Sequence, residues 1–227
     1  MILGVIPARL NSTRFPNKVI FSLNGKTIVE HVYNKAIQSS LIDKLVVAVD
    51  SEKTEKLINC SNIMMTSDKH ESGTDRVAEV ANNYDCDIVV NIQGDEPGID
   101  PKLIDQLISL FNDPDVRMAS VASTDLGKND LKNINIVKVN LDKENNALSF
   151  VRNNIDPNKK YYRHIGIYAY RKNTLNLFTS LDQSDNEKKY SLEQLRALDN
   201  NIAIKLLISD FNHRSIDTKE DLKNYEN

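Results

Sequence analysis

The sequence predicts an α/β protein with a mostly parallel sheet and helices on both faces. Two observations lead there. Short apolar, β-branched runs alternate with segments of helical period over roughly the first half of the chain. Those runs are continuously apolar, as strands covered on both faces are, and each gives way to a polar loop and then an amphipathic stretch. At 227 residues the chain can bury a sizeable core, and we expect a single domain over 1–227 with an excursion around 118–200.

The elements follow in order. Ile2–Ile6, Leu45–Val49, Ile63–Met65 and Ile88–Ile92 read as buried strands. Helices are expected over Ile28–Ser39, Glu52–Asn59, Thr74–Asn82 and Lys102–Phe111, and in the first Ile28, Val32 and Ala36 form an apolar stripe beside Val29 and Tyr33. The second half changes character. Met118–Ala122, Ile136–Asn140, Ala147–Arg152 and Ile165–Arg171 are strand-like with few helices between them, which suggests small antiparallel additions. Helices near Thr174–Leu181 and Leu192–Asp199, a strand over Ile202–Ile208 and a helix from about Thr218 complete the chain. Thr218 and Asp221 fit a capping box. Asn153–Lys160 and Asp182–Lys189 are polar enough to be loose segments.

Composition narrows the function. A net charge of −3 argues against a general nucleic-acid binder. No run approaches the ~20 apolar residues that cross a bilayer, and no signal peptide is legible, so no membrane partner and a cytoplasmic protein are expected. Cys60 and Cys86 lack metal-type spacing and suit reduced thiols.

Against that acidic balance, residues 1–29 contain Arg9, Arg14, Lys18 and Lys26 and no Asp or Glu. Three of these cations lie in Ile6-Pro7-Ala8-Arg9-Leu10-Asn11-Ser12-Thr13-Arg14-Phe15-Pro16-Asn17-Lys18, just after the first strand. A buried strand opening into a loop of cations, hydroxyls and backbone N–H groups suits a polyanion such as a triphosphate. A solvated basic loop would normally intersperse acids.

Gly25-Lys26-Thr27 looks like the end of a P-loop, but Ile20 stands where the first glycine belongs, so a turn before a helix is the better reading. In Gln93-Gly94-Asp95-Glu96-Pro97 two carboxylates follow a strand, at the crevice end of a parallel sheet. Beside a triphosphate they need a divalent cation, and Mg²⁺ held by carboxylates and phosphates meets that need. Ser72-Gly73-Thr74-Asp75-Arg76 opens a helix; its small polar residues could read a base or ribose, and N-capping by Ser72 or Thr74 is the better reading from these residues alone. Asp217 could be a second metal ligand or a residue near a helix start. Arg152, Arg163, His164, Glu193 and Gln194 carry no site by themselves.

Together these segments resemble the 3-deoxy-manno-octulosonate (Kdo) cytidylyltransferases. The match runs from Ile6-Pro7-Ala8-Arg9, Ser12-Thr13-Arg14 and Lys18 through Ser72–Glu79, Gln93–Pro97, Arg163–Arg171 and Leu192–Leu198 to Asp217–Leu222. The resemblance implies a Rossmann-like nucleotidyltransferase sheet with an antiparallel dimerisation excursion, a homodimer and a need for Mg²⁺. It also implies transfer of CMP from CTP to the anomeric hydroxyl of Kdo, an acidic keto-sugar, with release of pyrophosphate, for bacterial surface lipopolysaccharide. Arg9, Arg14 and Lys18 would then hold the triphosphate, and Ala8, Ser12, Ser72, Thr74 and Gln93 would line the nucleotide. Asp95 and Asp217 would bind Mg²⁺. Arg152 and His164 would engage the sugar acid, with Tyr168, Glu193 and Gln194 near its hydroxyls.

The chain departs from the family pattern in three places. The loop after Arg152 is shorter by about a dozen residues. Ser215-Ile216 stands before Asp217 where Gly-Val is usual, and Leu10-Asn11 replaces an aromatic and a small residue. Another 2-keto-3-deoxy sugar acid (amino-Kdo or sialic-acid-like) is the alternative acceptor. A non-catalytic nucleotide-binding relative is the alternative class.

Overall fold

Strand β1 (Ile2–Ala8) is apolar throughout because neighbours cover it on both sides. The computed structural model describes residues 1–10, 15–153, 155–212, 215–216 and 218–225, excepting the Asn224 side chain. The chain divides into two compact units, Met1–Asp105 with Arg214–Asn227, and Gln106–His213.

In the first unit a two-residue hairpin, β2 (Ser22–Leu23) and β3 (Lys26–Thr27), turns at Asn24 and Gly25, with φ of 50° and 83°. Two left-handed residues in an Asn-Gly pair are what a type I′ turn needs. The expected turn at Gly25-Lys26 is therefore present, within a hairpin. Helix α1 (Ile28–Ala36) starts in a capping box: Glu30 N–H donates to Thr27 Oγ1 at 3.3 Å and Thr27 N–H to the Glu30 carboxylate at 2.5 Å. It stops short of the expected Ser39 because Asp105 accepts from the Ser39 hydroxyl at 2.5 Å and from the N–H groups of Ser40 and Leu41 at 3.1 and 3.3 Å.

Strand β4 (Lys44–Val49), helix α2 (Glu52–Leu57), strand β5 (Ile63–Met65), helix α3 (Gly73–Asn82) and strand β6 (Ile88–Asn91) follow. The strands pair in the order β6-β1-β4-β5, all parallel. Leu3, Val5, Ile6, Val47, Val49, Val89 and Val90 are fully buried among them. Helix α4 (Pro101–Ser109) then runs into a 3₁₀ turn, Leu110–Asn112.

The second unit contains strand β7 (Met118–Ser123), helix α5 (Lys128–Lys132), strands β8 (Lys138–Leu141), β9 (Ala147–Val151) and β10 (Tyr162–Arg171), helices α6 (Lys172–Ser180), α7 (Asp185–Tyr190) and α8 (Leu195–Asp199), and strand β11 (Ile204–Ser209). Strand β7 pairs parallel with β11 and antiparallel with β10, while β8 pairs antiparallel with both β10 and β9. The expected antiparallel additions are thus present.

Two expectations fail. Asp182–Lys189 is not loose, because it contains most of α7. Ser184 and Glu187 form a capping box there, and Glu187 turns inward to a bidentate pair with Arg196, at 2.7 and 2.8 Å. Both side chains are buried, so removing one strands a charge. Glu187→Ala is expected to cost about 3–5 kcal/mol, read as a lowered urea midpoint; an unchanged midpoint would refute the pair's structural role. The second failure is the terminal helix, which is a 3₁₀ segment, Glu220–Asn224. Thr218 does give its N–H and hydroxyl to Asp221, at 2.7 and 3.0 Å. However, i→i+3 winding eclipses Leu222 and Tyr225, and both pack on a cluster of Phe15, Leu23, Ile28 and Ile216.

Candidate active site

The first unit gathers polar groups around the carboxyl end of β1. Gly73 lies against the Pro7 ring, and a Cβ on Gly94 would stand 2.8 Å from the Pro7 carbonyl, so only glycine permits that approach. The Ser72 and Gln93 loops therefore flank the strand end, where Ala8 is buried and Arg9 exposed. Ser72 is the N-cap of α3: its hydroxyl accepts from Asp75 N–H at 3.1 Å and donates to the Asp75 carboxylate at 2.8 Å. Thr74 is buried in the first turn and Gln93 half-buried. Ser12, Arg14 and Asp217 lie outside the described residues.

Lys18 is buried, and its ammonium donates to Asp95 Oδ2 at 2.5 Å. Asn17, left-handed at φ 58°, turns the chain into it. Asn17 N–H also donates to the Leu10 carbonyl at 3.2 Å. Ile216 N–H donates to the Asp95 carbonyl at 3.0 Å, which holds the residue preceding Asp217 beside Asp95. Ile216 is wholly buried, so the Ser-Ile departure is absorbed by packing.

The second unit holds the expected sugar residues. His164 lies in β10 just before a register shift. Ser120 Oγ fills that irregularity, 3.1 and 2.9 Å from the carbonyls of Ile165 and Ile167 and 3.0 Å from His164 Nε2. Ser120 has one hydroxyl proton for three neighbours able to accept it, so the tautomer of the His164 ring sets which of them receives it. The His164 ring also meets Phe150 edge-on at 5.0 Å and Tyr168 at 5.5 Å. Burial, reinforced by the Glu193 carboxylate, raises the Tyr168 phenol well above its ordinary value, so it remains a donor at neutral pH. Gln194 is the buried N-cap residue of α8. Neither Glu193 nor Gln194 lies within α8, although a helix was expected from about Leu192.

Arg152 follows β9, two residues after Phe150. One of its nitrogens donates to the carbonyls of Ile134 and Asn135, at 3.2 and 3.4 Å. Its own carbonyl accepts from Lys138, a side chain with no exposed surface that also donates to the carbonyls of Asn133 and Ile136. Sequence reasoning missed Ser120 and Lys138. A serine inside the apolar run Met118–Ala122 was a usable signal, whereas Lys138 had none, since a lysine alternating with Asn140 looks like a solvent face.

A family model described as cytidylyltransferase matches residues 3–206. A 3-deoxy-manno-octulosonate cytidylyltransferase of Bacteroides thetaiotaomicron is 41% identical, covering 99% of this chain and 96% of the relative. The chain belongs to this cytidylyltransferase family. A second member, from Pelobacter propionicus, is 38% identical, covering 97% of this chain and 94% of the relative. Among solved structures, a CMP:2-keto-3-deoxy-manno-octonic acid synthetase complexed with CTP is similar at TM-score 0.92 and 32% identity, covering 99% of this chain and 96% of the other. The expected fold class, a nucleotidyltransferase α/β sheet with antiparallel additions, agrees with that likeness.

Proposed function

We propose that this family member transfers CMP from CTP to the anomeric hydroxyl of 3-deoxy-manno-octulosonate, releasing pyrophosphate, in bacterial surface polysaccharide synthesis. The observation that carries the reading is the end-to-end likeness to a synthetase complexed with CTP. The anomeric oxygen attacks the α-phosphorus, its proton passes to solvent, and the bond to the bridging oxygen breaks so that pyrophosphate leaves. Arg9, Arg14 and Lys18 hold the triphosphate and offset its growing charge. Ala8, Ser12, Ser72, Thr74 and Gln93 line the nucleotide. Arg152 and His164 bind the sugar acid, with Tyr168, Glu193 and Gln194 at its hydroxyls. No protein base is assigned, because an anomeric hydroxyl ionises more readily than an ordinary alcohol.

Mg²⁺ fits these residues. Asp95 offers a hard carboxylate at a strand end, and the Ile216–Asp95 hydrogen bond brings the chain leading to Asp217 beside it. Bound there, the ion would neutralise phosphate charge at the α-phosphate and the leaving group. A homodimer is proposed as well, on the resemblance to the family alone. Unbridged Cys60 and Cys86 suit the cytoplasm, and no helix among the described residues is long and apolar enough to cross a membrane.

Pyrophosphate release tests the reading. With Mg²⁺ and 3-deoxy-manno-octulosonate, CTP should be turned over in preference to ATP, GTP and UTP. Equal turnover of a purine triphosphate would sink the nucleotide assignment. A faster reaction with another keto-sugar acid would move the acceptor.

A further inference from the structure

Arg76 has no part in the chemistry above, yet it is one of the largest fully buried side chains of the protein. It sits on the apolar stripe of α3, where a hydrophobic residue would pack without the cost of desolvating a cation. One nitrogen donates to Thr66 Oγ1 and, at 3.1 Å, to the Ser67 carbonyl. Thr66 passes its own proton to the Val49 carbonyl at 2.7 Å. The other terminal nitrogen stands 3.8 Å from Asp50 Oδ2. Nε has no partner among the described residues.

Asp50 is the first residue beyond β4, and its Oδ1 accepts from Leu10 N–H at 3.3 Å. Leu10 is thus gripped from both sides, its N–H by Asp50 and its carbonyl by Asn17 N–H. It is also the residue directly after Arg9 and opens the stretch that ends at Lys18. The guanidinium is consequently tied to the ends of β4 and β5 and, through Asp50, to the chain leaving β1. Burial pulls Arg76 below its usual value, Asp50 and Glu79 oppose this, and the charge of Arg9 pulls it down further, so the two cations feel each other.

We propose that Asp50 and Arg76 act as one positioning link that aims Leu10, and with it Arg9, at the phosphates of the nucleotide. Arg76 holds the Asp50 carboxylate by charge, and Asp50 holds the backbone that carries the phosphate-binding cation. Neither touches substrate. The inference rests on Arg9 being a triphosphate ligand.

Calorimetry with CTP and with CMP, in Mg²⁺ buffer, tests it on four variants: Asp50→Asn, Arg76→Lys, their double, and Arg9→Ala as reference. Each single link variant should weaken CTP by about five- to tenfold, because Asp50→Asn removes the charge that Arg76 holds and Arg76→Lys removes the fork that reaches both Thr66 and Asp50, with CMP held within about twofold. The double should lose no more than the worse single, because both break the same connection. Unchanged CTP binding in Asp50→Asn, equal losses of CTP and CMP, or additive losses in the double would each overturn the link. Should Arg76→Lys fail to fold, the CTP-against-CMP contrast in the isosteric Asp50→Asn decides alone. If Arg9→Ala binds CTP normally, the phosphate reading itself falls; if only Asp50→Asn binds normally, the link alone does.

Discussion

Asp95→Asn is expected to lower turnover by at least about 10²-fold while leaving the chain folded. The carboxylate sits at the crevice end of β6 with Lys18 on one oxygen at 2.5 Å, and asparagine keeps a carbonyl oxygen that can accept from that ammonium. What it loses is the fixed negative charge that the proposed Mg²⁺ would need at this position. Thermal unfolding should therefore shift little, whereas pyrophosphate release at saturating CTP and Mg²⁺ should collapse. Asp217→Asn should behave alike, since its preceding residue is hydrogen-bonded to Asp95. Normal turnover in Asp217→Asn would reduce Asp217 to a residue that merely precedes a 3₁₀ turn.

Arg152→Ala is expected to reduce kcat/KM for the sugar by about 10²-fold, from loss of a charge-assisted contact worth roughly 1.5–3 kcal/mol. In the structure one guanidinium nitrogen donates to the carbonyls of Ile134 and Asn135 at 3.2 and 3.4 Å, and a sugar carboxylate is a stronger acceptor than either. The backbone at 152 stays in place in the variant because Lys138 grips its carbonyl, not its side chain. CTP affinity, measured by calorimetry without sugar, should hardly move. A folded variant that loses CTP would put Arg152 in the nucleotide half.

The strands of the first unit were legible because their burial on both faces leaves an unbroken apolar signature, and Ile63–Met65 matches to the residue. Helix ends were less so. Ser39 belongs to the helical period of α1, yet Asp105, far away in sequence, takes its hydroxyl and stops the helix. Helix α7 was misread because Asp185-Asn186-Glu187-Lys188-Lys189 is wholly polar, although the Ser184-x-x-Glu187 capping box was there to be seen. The basic loop and the Gly94-Asp95 turn stood out as charge anomalies. The buried cations Arg76 and Lys138 did not, because a long charged side chain is expected at the surface and only tertiary contacts turn it inward.

The cluster that seats the C-terminal segment joins Phe15, Leu23 and Ile28 to Ile216 and Leu222, partners about 200 residues apart along the chain. A ribosome adding roughly 5–20 residues per second leaves the early members waiting some 10 to 40 s for the late ones. Throughout that interval Asp95 lacks the Ile216 hydrogen bond, and Phe15 lacks its cover. The nascent chain should therefore be unable to capture nucleotide until the second unit has been made. An N-terminal fragment ending before position 214 should be retained by chaperones rather than released as a nucleotide-binding domain.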